Sequence, residues 1–123
     1  MGKTFIFNKE RRGFYERMFR GINFLNFMII ELKKFGLTLT SRDDGREALA
    51  AFKPSLNNVS EHETIEIHFS GVNTFSPSWG DEFITPLFQI FGERLILVDM
   101  NNLSVQATIN LLERIHKIKF NVA

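Results

Sequence analysis

From residue 37 onward, short apolar runs alternate with stretches of helical period, and this alternation constrains the fold more than any other feature. Leu37-Thr38-Leu39-Thr40 reads as a strand. Ser41-Arg42-Asp43-Asp44 opens a helix, with a hydroxyl to cap it and carboxylates where the helix dipole favours them. Ala48, Leu49 and Phe52 make its apolar face, and Pro54 stops it. Thr64 to Phe69 alternates strictly, with Ile65, Ile67 and Phe69 on one face and Thr64, Glu66 and His68 on the other, the pattern of a strand buried on one side only. After a loop through Phe75, Ser76 caps a helix that Pro77 opens. Its predicted buried face is Trp79, Phe83, Leu87 and Ile90, and Pro86 is predicted to kink or split it. Arg94 to Asp99 holds the continuous apolar run of a central strand, and Ser104 caps a last helix turned inward through Val105, Ile109, Leu112 and Ile115. The order β-α-β-α-β-α implies parallel pairing with right-handed crossovers. The predicted class is α/β: a small, mostly parallel sheet with helices mainly on one face.

The first 36 residues follow a different rule. Thr4-Phe5-Ile6-Phe7 is a short strand candidate, and Asn8 caps a long helix. Phe14, Met18, Ile22, Leu25, Ile29 and Leu32 recur at spacings of 4, 4, 3, 4 and 3, one helical stripe. Phe19, Phe24, Phe27, Met28 and Ile30 widen it round most of the circumference, and Gly36 ends it. Residues 1–36 are therefore expected as an amino-terminal strand and helix packed on a domain of residues 37–123. A helix apolar on so many sides needs cover on more than one, which predicts a homodimer through Phe24, Phe27 and Met28.

At 123 residues the chain is the size of one domain, and its 14 Phe supply ample apolar area for a core. It has no Cys, which excludes disulfides, thiolate metal sites and a cysteine nucleophile. The apolar stretch Ile22–Leu32, broken by Asn23, Asn26 and Glu31, is too short to cross a bilayer. A cytoplasmic protein without membrane attachment is expected. Residues 1–36 carry eight Lys/Arg against three Glu, and residues 37–123 seven against eleven acidic residues. The basic third admits nucleic-acid or anionic-surface binding through Arg11, Arg12, Arg17 and Arg20. Interspersed Glu residues favour instead a basic helix resting on the acidic body of its own fold, so nucleic acid is not the leading expectation.

Chemistry is sparse. No phosphate-binding glycine loop follows any strand. His62, His68 and His116 are scattered in sequence, so no metal site is expected. A Ser–His–acid set drawn from Ser76 or Ser78 with His68 has no nucleophile elbow to support it. Asp81 and Glu82 are adjacent on a helix and point about 100° apart, so they read as a solvated first turn. Neither an enzyme nor a cofactor is expected. What remains is a polar constellation of Asn73, Thr74, Ser76 and Ser78 between a strand's carboxyl end and a helix's amino end, where open α/β sheets meet ligands and partners.

Ile65-Glu66-Ile67-His68-Phe69-Ser70-Gly71-Val72, followed by Phe75-Ser76-Pro77-Ser78-Trp79-Gly80-Asp81-Glu82-Phe83, resembles the core of the STAS-like domains grouped as DUF4325. Those domains carry a "DF-x-G-V" phrase ending a strand and an "S-F-x-D-E" phrase opening a helix. Here the two phrases read His68 to Val72 and Ser78 to Glu82, with His68 where an acid is common and Trp79 where Phe is usual. Leu39 to Glu47 is similar to the family's "L-x-[ST]-R-x-x-G/A-R" opening, and the likeness covers about residues 37–115. More distantly the chain is similar to STAS domains that act as anti-sigma-factor antagonists. The resemblance implies a non-enzymatic interaction module whose protein partner is a histidine-kinase-like ATPase. The antagonists themselves are switched by phosphorylating a Ser at this junction, which does not carry over directly to this chain. On the "D-S-S-G" phrase of those antagonists Pro77 falls where the modified Ser stands, leaving Ser76 and Ser78 as candidate phosphorylation sites. The expected partner surface is Asn73, Thr74, Ser76, Ser78, Asp81, Glu82 and Thr85.

Overall fold

The parallel core begins one strand earlier than the alternation from residue 37 suggests. The computed structural model describes residues 3–5 and 26–123. Strand β1 (Lys3–Phe5) pairs antiparallel with β2 (Asn26–Glu31), Lys3 opposite Met28 and Phe5 opposite Asn26. The expectation of a helix through Leu32 is thus corrected over Asn26–Glu31. Phe27-Met28-Ile29-Ile30 is apolar on every side, and such a run serves a two-face-buried strand as well as a buried helix. Tertiary pairing decides for the strand: β2 runs parallel to β4 (Thr64–His68), from Phe27 opposite Thr64 to Glu31 opposite His68. Phe27 and Met28 are consequently core residues at 1% and 2% exposure, closed to the dimer contact expected of them. Phe14, Met18, Ile22, Phe24, Leu25 and the four basic residues Arg11, Arg12, Arg17 and Arg20 lie outside the described residues.

β3 (Thr38–Leu39) leaves the main sheet altogether. It pairs in parallel with β5 (Thr74–Phe75) as a two-stranded ribbon. Between β3 and β4 runs helix α1 (Arg42–Phe52), whose cap Ser41 accepts the Asp44 N–H as its sequence foretells. It gives way to a 3-10 turn at Lys53–Asn58 that contains Pro54. Helix α2 (Pro77–Phe91) starts at its expected cap, Ser76, and continues through Pro86 without splitting. Trp79, Phe83 and Leu87 are buried, but Ile90 is 54% exposed, one turn past the core.

β6 (Leu95–Val98) lies parallel to β4, and helix α3 (Leu103–His116) follows it. Asn102, not Ser104, caps α3, and Ile115 is exposed where it was expected inside. A short β7 (Asn121–Val122), which no periodicity announces, adds to β6 in parallel. The main sheet therefore runs β1-β2-β4-β6-β7. All its pairings but the first are parallel. β1 and β2 share this sheet with the strands after residue 36, so a boundary at 36 cuts through one sheet.

Met28, Ile30, Ile65, Ile67, Leu95 and Leu97 face one side of the sheet and join one apolar cluster with Leu49, Phe52, Trp79, Phe83, Val105 and Ile109 of the three helices. The other side is closed too. Thr64 and Glu66 are 0% exposed, as are Ile96 beside Glu66 and, nearly so, Val98. One-sided burial of β4 is therefore corrected: as the central strand it is covered on both faces, its polar positions included. Among the described residues, no helix is long and apolar enough to cross a membrane.

Candidate functional site

The carboxyl ends of β4 and β6 deliver two loops to one edge of the sheet. The first, Phe69 to Thr74, is tethered by the Phe69 N–H to the Val98 carbonyl and by the Val72 N–H to the Phe69 carbonyl, 3.1 Å each. Gly71 turns it at φ 85°, a conformation that needs no side chain. Asp99, at φ 61°, opens the second loop. Asn102 ties the two together. Its Nδ2 donates to the Val72 and Asn73 carbonyls at 3.1 Å, and its Oδ1 accepts from the Ser104 and Val105 N–H groups at 2.7 and 3.2 Å. One amide thus caps α3 and clamps the neighbouring loop.

On the other flank, the Leu37 carbonyl accepts the Asn73 and Thr74 N–H groups at 2.8 and 3.2 Å. The Ser76 N–H donates to the Leu39 carbonyl at 2.9 Å. The Phe75 backbone is bound by α3 instead: its N–H donates to Ser104 Oγ at 3.0 Å, and its carbonyl accepts from the Ser104 and Thr108 hydroxyls. This is why Ser104 is unavailable as a cap. A cavity of about 350 Å³ lies between the loops, lined by Phe69 to Asn73, Asp99, Asn101 and Asn102. Beside it Leu37 and Leu103 stand 51% and 78% exposed.

The expected partner residues divide into groups. Asn73 and Thr74 are exposed and Ser78 half-buried. Ser76 is consumed by structure: its Oγ donates to the Thr40 carbonyl at 2.7 Å and accepts the Trp79 N–H at 3.2 Å. Asp81 and Glu82 are not a solvated first turn but a polar seam across three helices. Asp81 Oδ1 meets His116 Nε2 at 2.7 Å, and Arg42 Nη1 reaches Asp81 at 3.5 Å and Glu82 at 3.0 Å. Arg46 adds a contact to Glu82 at 3.6 Å. Burial pushes the Asp81 carboxyl up, yet the hydrogen bond and charge of His116, with the hydrogen bond from Arg42, outweigh it and hold the group below its ordinary 3.8. Thr85 is buried, which removes it from any docking surface. It lies one turn beyond Asp81 on the stripe that faces α3.

Sequence reasoning missed a second polar group. His68 Nε2 lies 2.7 Å from Oε1 of buried Glu66, and its Nδ1 is 3.7 Å from Asp99. The alternation of β4 places Glu66 and His68 on one face, but only two-sided burial turns that into a buried pair. Asn102 was also overlooked, although Asn before a helical run is a favoured cap. Among the described residues, no group of three or more His, Cys, Asp and Glu is arranged to hold a metal ion. Comparisons with protein-family models, with curated proteins and with solved structures find no match to this chain.

Proposed function

We propose that the chain is a non-enzymatic, STAS-like regulatory module that docks a histidine-kinase-like ATPase through the edge formed by the Phe69–Thr74 loop and the start of α3. The observation that carries this reading is the exposed pair Leu37 and Leu103 on either side of Asn73 and Thr74. Apolar side chains beside free polar ones, on a backbone already fixed by Asn102, make a preorganised contact surface. The sequence resemblance over residues 37–115 supplies the class of partner. Within that reading Ser78 is the better phosphorylation candidate, because a phosphate on Ser76 would sacrifice both bonds of the α2 cap.

The test is a pull-down with the kinase-like ATPase encoded nearest this chain's gene, beside thermal melts of each variant. Leu103→Arg and Ser78→Glu are expected to melt close to the parent and to lose most of the captured ATPase. Normal melts with undiminished capture would remove this surface from the function.

A further inference from the structure

The apolar stripe of α2 outruns the core that should cover it. Trp79, Phe83 and Leu87 are buried, while the next member, Ile90, is more than half exposed. Ile90 lines a groove of about 670 Å³ that lies by the amino ends of β4 and β6, the end of the sheet opposite the docking edge described above. Ala50, Pro54, Leu56, Val59 and Phe91 give it an apolar lining from α1, the following 3-10 turn and the end of α2.

Its charges are unequal. Lys53 and Arg94 line the groove against a single acid, Glu61. The Arg94 guanidinium is fixed in place, Nη1 donating to the Ser60 and Glu63 carbonyls at 2.8 and 3.0 Å, with the charge 5.2 Å from the centre of the Phe91 ring. Those carbonyls orient the cation without neutralising it. Glu61 stands 3.6 Å from His62, and Lys53 lines the groove with its charge available to an occupant. The groove is open to solvent, whereas sites for small molecules enclose most of the ligand's surface. It suits side chains carried on a polypeptide laid across it.

We infer that this groove is a second docking site, and that its occupant is an acidic amphipathic segment of a partner protein. Apolar side chains of the segment pack on Ile90, Leu56 and Val59, and its carboxylates lie beside Lys53 and Arg94. The two docking sites share no residue, so either stands if the other falls.

Selection of a random peptide library against the full chain tests the inference. Enriched peptides are expected to carry apolar residues next to Asp or Glu, and their binding to weaken as salt rises. Affinity is expected to drop about tenfold in Ile90→Glu and several-fold in Lys53→Glu, and to persist in Leu103→Arg. Ile90→Ser serves as a second variant if Ile90→Glu melts early. The inference is overturned if no peptide is enriched, if the enriched peptides lack carboxylates, or if their binding ignores both Ile90 variants. Self-association in sedimentation that disappears in Ile90→Ser would also overturn it, since the groove would then belong to a second copy of the chain.

Discussion

Ser76 shows how much one hydroxyl holds in this molecule. It accepts the Trp79 N–H that α2 would otherwise leave unpaired, and it donates to Thr40 on the chain segment entering α1. Ser76→Ala removes both bonds, and its expected cost is about 1–2 kcal/mol by urea unfolding. Asp81 adds a pH dependence. Its carboxyl is held below its unfolded value, so the stabilisation is present above 3.8 and is lost as pH falls through the lower folded value. Asp81→Asn is expected to lower stability near neutrality and to flatten the acid limb of the stability profile, converging on the parent well below about pH 4. An acid limb identical to the parent's would show that His116 and Arg42 do not favour the ionised carboxylate.

Among the elements, α1 and α2 pack extensively against each other, and a glycine lets them approach. A Cβ on Gly45 would lie 2.7 Å from the Trp79 carbonyl oxygen, so Gly45→Ala forces the helices apart. The expected loss is about 1–3 kcal/mol, visible as an earlier thermal melt. Trp79 itself is 1% exposed and stacks on Phe83 with ring centroids 4.9 Å apart. Its replacement by Ala is expected to cost about 3–5 kcal/mol. Both helix starts were legible in the sequence, because Ser41 and Ser76 satisfy N–H groups within three residues of themselves. Elements set by distant partners were not. The Phe27–Ile30 run carries no period that separates strand from helix until β1 and β4 pair with it. β7 is too short to pattern, and Ser104 lost its capping role to a contact with Phe75, 29 residues away in sequence.

At the scale of the whole molecule, the two candidate surfaces lie at opposite ends of the sheet. The class of fold was legible because strand and helix alternate, and the site was legible only in part. Asn73 and Thr74 were singled out by their place between a strand's carboxyl end and a helix's amino end, and the structure leaves them exposed. Leu37 and Leu103 were not, since an apolar residue in sequence reads as core and only the fold reveals two that stay outside. Thr85 was misplaced for the converse reason: a polar residue off the apolar stripe of α2 reads as surface, whereas this one is buried in the middle of the helix. The central claim, docking through the carboxyl end of the sheet, is tested most directly by amide hydrogen exchange with and without the kinase-like ATPase. The expected result is new protection confined to the Phe69–Ser78 segment and the start of α3 at Asn101–Ser104, with Leu103→Arg abolishing it. Protection centred elsewhere in the molecule, or no protection at saturating ATPase, would contradict the claim.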